Sequence, residues 1–163
     1  LDASIELLVV DQKKAEVINK AEKRGIETLV LSPKDFESKQ EYEECILKNL
    51  RERDVEWIIL AGYMRIVTNV LLDAYPNRII NIHPSLLPDF RGLDAIGQAY
   101  RAKAERMGVS IHYIDSGLDT GSLIAQEGFD VDPKWTIDEC EERIHAIEHR
   151  LYTETLKKLW EEE

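Results

Sequence analysis

The sequence lacks several features that mark particular classes of protein. Only two cysteines occur in its 163 residues, and neither belongs to a CxxC pair, so we expect buried, reduced thiols rather than a disulfide or a zinc site. The longest dense apolar stretch, residues 55–64, is far shorter than the roughly 20 residues that a membrane helix needs. No basic segment followed by an apolar one opens the chain. We therefore expect a cytoplasmic protein without a membrane partner.

Positive charge is also scarce. The net charge is −11, and Lys and Arg are scattered among Asp and Glu rather than gathered in a basic stripe. An acidic surface repels the phosphate backbone of nucleic acid, so we expect no nucleic-acid partner. A small phosphorylated metabolite stays compatible with this charge, because a few backbone N–H groups can hold a phosphate.

The order of the apolar patterns predicts the fold. With 44% apolar and 33% charged residues, the composition is that of an ordinary folded chain, and we expect one domain over residues 1–163. Strand-like runs at residues 5–10, 27–31, 55–61 and 78–82 alternate with helical patterns at 12–24, 38–50 and 68–74. A helical pattern at 94–106, two strands at 109–114 and 123–131, and a long helix opened by Thr136 and Glu139 follow. This order predicts an α/β fold, Rossmann-like, with a mostly parallel sheet, helices on both faces and an antiparallel extension.

Residues 81–88, which read NIHPSLLP, directly follow the fourth predicted strand. This places them at the carboxyl end of a parallel strand, where open α/β sheets bind ligands. Asn81 and His83 are two residues apart, so both side chains point to the same side of an extended backbone. An amide beside an imidazole suits a reaction that creates an oxyanion and moves a proton. A turn in which both side chains satisfy local backbone groups is an equally open interpretation.

A second segment, residues 108–121, combines a strand with a glycine-flanked turn. Ser110 and His112 share one face of the strand, and Asp119 lies in the turn. A carboxylate there could approach His83 and bias its charge state. A hairpin whose Asp and Gly residues merely favour the turn is the open alternative.

Together the two segments resemble the folate-dependent formyltransferase family, whose signature blocks are NIHPSLLP and the LDTG turn after a GVSIHY strand. Asn81, His83 and Asp119 fall on that family's catalytic Asn, His and Asp. Three further blocks resemble the branch that formylates the amine of phosphoribosylglycinamide: AGYMRI at 61–66, GLDAIGQA at 92–99 and RIHAIEH at 143–149. The resemblance extends over essentially the whole chain.

The resemblance implies formyl transfer from 10-formyltetrahydrofolate, a cosubstrate, to phosphoribosylglycinamide, without a metal. Asn81 would donate to the oxyanion, His83 would assist there or carry the proton, and Asp119 would maintain the charge state of His83. The residues expected to bind the folate are Met64, Arg65, Ile66, Tyr113, Ile114, Asp115, Gly117 and Asp119. The residues expected to bind the amine substrate are Pro84, Ser110, His112 and Glu148. The partners are then small molecules, and the protein is a monomer or a homodimer.

The chain also departs from the family pattern. The family opens with a strand and a Gly/Ser-rich loop that holds the substrate phosphate, and this sequence begins at what resembles the family's second strand. We therefore expect the first, central strand to be missing from the sheet, and a polypeptide confined to these residues to be inactive. Arg91 and Ser122 stand where many relatives have Pro.

Several alternatives stay open. The protein could be a methionyl-tRNA formyltransferase, a formyltetrahydrofolate hydrolase or an inactive folate-binding remnant. His112 could be an ordinary core residue and Glu148 a solvated helix residue. His145 and His149 are four residues apart on a helix, a spacing that can bind a metal, but no third ligand is evident.

Overall fold

The computed structural model describes residues 2–162, and these fall into two compact units. The first unit comprises the residues up to Trp57 together with Thr68–Pro76, and the second comprises Ile58–Val67 and the residues from Asn77 onward. Every residue that the sequence predicts for catalysis or binding belongs to the second unit. The interpretation of the chain as one domain stays a prediction.

The first unit is a parallel strand pair with three helices. Its elements are β1 (Leu8–Val10), α1 (Glu16–Glu22), β2 (Thr28–Val30), α2 (Lys39–Arg51) and α3 (Asn69–Ala74), with β1 and β2 parallel. The side chain of Ser38 caps α2 by accepting from the N–H of Glu41 at 3.1 Å. The carboxylate of Glu41 returns to the N–H of Glu37 at 3.2 Å rather than to Ser38, so the predicted capping box is only half formed.

The second unit contains a four-stranded sheet in the order β3-β4-β5-β6. Its elements are β3 (Ile58–Leu60), β4 (Ile79–His83), α4 (Ala95–Arg101), β5 (Arg106–Tyr113), β6 (Leu123–Asp130) and α5 (Ile137–Glu161). Strands β3 and β4 are parallel, whereas β5 and β6 each run antiparallel to the preceding strand. The α/β fold with an antiparallel extension is confirmed. Over residues 2–162 the strands form a two-stranded and a four-stranded sheet rather than a single one.

Helix α4 is shorter than the predicted pattern at 94–106. It ends at Arg101 because Lys103 is left-handed, with φ +51°, and β5 already begins at Arg106. Helix α5 begins as predicted: Thr136 and Glu139 form a complete capping box, which satisfies N–H groups that the first helical turn leaves unpaired.

The core of the second unit lies where α4 and α5 meet β5. Its buried members are Ala99, Met107, Val109, Cys140 and Ile144. Tyr152, on α5, donates its hydroxyl to the carbonyls of Leu60 at 2.7 Å and Ile80 at 3.1 Å. Burial raises the pKa of Tyr152. This phenol therefore ties α5 to two neighbouring strands close to the predicted catalytic residues.

Two expectations from composition can be compared with the structure. Cys45 and Cys140 are both free thiols, and Cys140 is fully buried. Among residues 2–162, no helix has both the length and the apolar character that crossing a membrane requires.

Candidate active site

The pairing of β4 with β5 brings four polar side chains onto one face of the sheet. Asn81 lies opposite His112, and His83 lies opposite Ser110. Directly opposed residues on neighbouring strands project to the same side. All four side chains are buried, in keeping with the predicted common side of Asn81 and His83.

Both ring nitrogens of His83 face oxygen atoms. Nε2 lies 2.9 Å from the backbone oxygen of Phe90, and Nδ1 lies 3.4 Å from Oδ2 of Asp119. A carbonyl oxygen can only accept, so the nitrogen facing Phe90 carries a proton. A neutral ring then has no proton left for Nδ1, and only the imidazolium can present N–H groups to both oxygens. The geometry therefore suits a positively charged His83.

Asp119 is held in the turn after β5 in a left-handed conformation, with φ +52°. Its Oδ2 accepts the backbone N–H of Gly92 at 2.9 Å, and Oδ1 lies 3.7 Å from Nε2 of His112. The side chain is only 9% exposed. A carboxylate this enclosed is poorly screened by water, so its attraction for a charged His83 is strong.

His112 differs from His83 in its electrostatics. Burial lowers the pKa of His112, and the Tyr113 carbonyl and the Asp119 carboxylate offset this effect only in part. Its Nδ1 donates to the backbone oxygen of Tyr113 at 2.9 Å, while Nε2 is buried with no hydrogen-bond partner in the described part of the chain. Of the two histidines that face Asp119, His112 is therefore the one suited to remain neutral.

The hydrogen-bonding capacity of the Asn81 carboxamide is not fully used by the protein. Its Oδ1 is buried and has no hydrogen-bond partner among residues 2–162. An unpaired buried polar group costs about 1–3 kcal/mol, which a fold tolerates most readily where a ligand will bind. This runs against the interpretation of Asn81 as a residue that satisfies local backbone groups.

The hydroxyl of Ser110, by contrast, is fully used within the protein. It donates to the backbone oxygen of Ser85 at 2.6 Å and accepts from the N–H of Leu87 at 3.0 Å and from Nε2 of Gln126 at 2.9 Å. A hydroxyl has one donor and two acceptor sites, so no capacity is left for a substrate. The geometry thus gives Ser110 a role in holding the loop after His83, a role that the sequence did not predict.

Glu148 lies on α5 within electrostatic range of His83. Burial raises the pKa of Glu148, and the nearby charges of His145, His149 and His83 oppose that shift. A half-buried carboxyl beside a histidine of the site is harder to explain as a solvated helix residue. No cluster of three or more potential metal ligands occurs among residues 2–162.

The predicted folate residues occupy two segments. Met64 and Ile66, in the loop after β3, are 62% and 45% exposed, so they are not core residues. The turn after β5 is closed by Asp115, whose Oδ1 accepts from the N–H of Gly117 at 2.9 Å and the hydroxyl of Thr120 at 2.6 Å. These bonds lower the pKa of Asp115, the Thr120 hydroxyl most of all. The predicted contacts of Pro84, Arg65, Tyr113 and Ile114 with ligands stay predictions.

Sequence reasoning assigned no role in the site to Phe90, Arg91 or Gly92. Phe90 accepts from His83, Gly92 donates to the Asp119 carboxylate, and Nε of Arg91 donates to the Asp119 backbone oxygen at 3.2 Å. The one local signal was Gly92, which has φ +81°, because glycine marks positions where the backbone must turn or approach closely.

Known proteins are similar to this chain in sequence and in fold. Residues 1–156 match the family model described as Formyl transferase, and the chain therefore belongs to the formyl transferase family. Within this family the chain is 48% identical over 158 residues to phosphoribosylglycinamide formyltransferase of Bacillus subtilis (strain 168), covering 97% of this chain and 81% of that protein. It is also 38% identical to a trifunctional purine biosynthetic protein adenosine-3 of Drosophila pseudoobscura pseudoobscura, covering 94% of this chain and 11% of that protein.

Solved structures agree. The phosphoribosylglycinamide formyltransferase from Bacillus halodurans is similar with a TM-score of 0.95 and 45% identity, over 98% of this chain and 82% of that chain. The glycinamide ribonucleotide transformylase 1 from Geobacillus kaustophilus has a TM-score of 0.93 and 50% identity, over 96% and 84% of the respective chains. The expectation of a formyltransferase similar to the phosphoribosylglycinamide-specific enzymes is confirmed.

Proposed function

We propose that this protein transfers the formyl group of 10-formyltetrahydrofolate to the primary amine of phosphoribosylglycinamide, a step of purine biosynthesis. The observation that carries the proposal is the group of Asn81, His83 and Asp119. In this group a carboxamide whose oxygen has no hydrogen-bond partner lies on the same face as an imidazole beside an enclosed carboxylate. These groups suit formyl transfer to an amine, because attack on the formyl carbon places negative charge on the formyl oxygen, which carboxamide and imidazole N–H groups can stabilise.

Each residue then has a distinct task. Nδ2–H of Asn81 donates to the developing oxyanion, and its unpaired Oδ1 can accept a hydrogen bond from the substrate amine. Nε2–H of His83, which donates to Phe90 in this structure, is the proton donor that can turn to the oxyanion, because Nδ1 faces Asp119. Asp119 stabilises the positive charge on the ring. As the bond from the formyl carbon to the folate nitrogen breaks, that nitrogen takes the proton from Nε2 of the His83 imidazolium. The neutral Nε2 then accepts the proton that the amine releases on becoming an amide.

Binding is assigned to the residues around this centre. The exposed side chains of Met64 and Ile66, with Arg65 and the turn at residues 113–119, form the proposed folate slot, since a flat pterin needs apolar walls and backbone partners. Pro84, His112 and Glu148 line the proposed site of the amine substrate. Glu148 suits hydroxyl groups of a sugar, because a carboxylate accepts hydrogen bonds strongly.

The test is a formyl-transfer assay with purified protein that includes the family's N-terminal strand and Gly/Ser-rich phosphate loop, both substrates, and detection of formylated phosphoribosylglycinamide and of formate. The expected result is one formylated amine for each formyl group that the folate loses. Asn81→Ala should lower kcat about 100-fold, the cost of losing an oxyanion donor. The matched control Asn69→Ala, at an exposed position on α3, should leave kcat unchanged.

The alternatives give different products. Formate without amine product would identify a hydrolase, and transfer only to methionyl-tRNA would identify that branch of the family. Folate binding without either product would identify an inactive folate-binding protein. Any of these results would reject the proposed substrate.

A further inference from the structure

Gln98, in the GLDAIGQA block, braces the segment that contacts the catalytic pair. Its Nε2 donates to the backbone oxygens of Arg91 at 3.1 Å and Leu93 at 2.6 Å. Only the NH₂ end of a carboxamide can serve two carbonyl oxygens, so both its protons are used and the orientation of the amide is defined. Gln98 is anchored in turn by α4, where its own backbone N–H donates to the Asp94 oxygen at 2.8 Å.

The braced segment reaches Asp119 through two donors. Gly92 gives its N–H to Oδ2 at 2.9 Å, and Arg91 gives Nε–H to the backbone oxygen at 3.2 Å. The segment itself belongs to no helix or strand, and Phe90 and Gly92 have φ values of +53° and +81°. Such a backbone needs outside support to stay in place. The carbonyls on either side of Gly92 receive that support from Gln98.

We propose that Gln98 is a positioning residue for the reaction. By holding the carbonyls of residues 91 and 93, it aims the Gly92 N–H at Asp119 and thereby keeps Oδ2 at 3.4 Å from Nδ1 of His83. Gln98 itself touches neither histidine nor Asp119 in any hydrogen bond of the described residues. It acts on the catalytic centre through the Gly92 N–H and the Arg91 side chain, which both donate to Asp119. The kinetic consequence of this assignment rests on the proposed function.

Three substitutions separate this role from simple space filling. Gln98→Met keeps the length and loses the donors, and Gln98→Glu keeps the shape but places a carboxylate against two carbonyl oxygens. Gln98→Lys restores a donor. We expect kcat to fall about tenfold in the Met variant, further in the Glu variant, and to recover in part with Lys, since the Met variant loses both hydrogen bonds to the loop carbonyls. KM for both substrates should change less than about threefold, because Gln98 is not among the residues proposed to bind either substrate.

The control is Arg101→Met, on the same helix, which removes an exposed ion pair with Asp94 and should leave kcat unchanged. Arg91→Met provides a second route, since it removes the Nε donor from an exposed side chain and does not endanger folding. It should lower kcat by severalfold with KM retained. Equal kcat in the wild type and all Gln98 and Arg91 variants, or equal losses for Met, Glu and Lys, would overturn the assignment.

A spectroscopic measurement keeps this inference separate from the proposed function. The chain has only four histidines, so ¹⁵N–¹H spectra of the imidazole rings resolve each one, with His83→Asn and His112→Asn as assignment variants. In Gln98→Met the His83 signals should shift while those of His145 and His149 stay in place. Unmoved His83 signals would reject the positioning role even in an active enzyme. Shifted signals in a protein that transfers no formyl group would support it and reject only the proposed function.

Discussion

Replacing Asp119 by asparagine tests the charge at the centre of the site with little change of shape. Asn has nearly the same size and tolerates the left-handed backbone, φ +52°, that Asp119 adopts. Its carboxamide oxygen can still accept the N–H of Gly92, which lies 2.9 Å from Oδ2 in the wild type. The substitution therefore removes the negative charge beside His83 and retains the turn.

The magnitude follows from the distance. At the 3.4 Å that separates Nδ1 of His83 from Oδ2 of Asp119, unit charges attract by about 5 kcal/mol at an effective dielectric constant near 20. This sets an upper limit of roughly 4,000-fold on the loss of rate. The amide dipole recovers part of that attraction, so we expect kcat to fall about 100- to 1,000-fold. KM should change much less, because Asp119 acts on His83 rather than on the proposed binding contacts of the amine substrate.

The assay is steady-state formyl transfer, with thermal unfolding to verify the fold. Asp130→Asn is the matched control, because Asp130 lies at the far end of β6, pairs with Arg106 and is 93% exposed. It should retain wild-type kcat. An Asp119→Asn enzyme with more than a third of wild-type kcat would show that the carboxylate does not support the charge of His83, and the electrostatic argument would fail.

Three further predictions concern the surroundings of the site. Burial raises the pKa of Glu148, so its favourable contribution to stability is present below the usual carboxyl pKa and is lost as pH rises through the raised one. Glu148→Gln should therefore increase Tm at pH 8 but not at pH 4. The same substitution should raise KM for the amine substrate roughly tenfold. An unchanged Tm difference between the two pH values would contradict this. Ser110→Ala leaves the Leu87 N–H without its partner and should cost about 2 kcal/mol in denaturant unfolding; an unaltered midpoint would mean that the loop is held by other contacts. Tyr152→Phe should cost about 1–2 kcal/mol by the same assay, because two strand carbonyls lose their donor, and a stability equal to wild type would show that these carbonyls find other partners.

Local signals in the sequence predicted those parts of the fold that depend on neighbours along the chain. Thr136 and Glu139 form the capping box that was expected, because both partners lie within one helical turn. The half-formed box at Ser38 and the early end of α4 depart from these signals. The Glu41 carboxylate accepts from the N–H of Glu37 instead of that of Ser38, and Lys103 adopts a left-handed conformation that no periodic pattern reveals. The two-residue spacing of Asn81 and His83 was sufficient to place both on one side of β4.

Contacts between distant segments depend on how β4 pairs with β5 and where the following turn returns. That register places Asn81 opposite His112, and the turn carries Asp119 to within 3.4 Å of His83. Neither the strand register nor this distance can be predicted from the spacing of the residues along the chain. The lowered pKa of His112 arises from burial, and the saturation of Ser110 arises from partners on other segments. The sequence thus determined which chemical groups are present and which lie on a common strand face, whereas burial and through-space distance, which control charge and hydrogen-bonding capacity, exist only once the chain has packed.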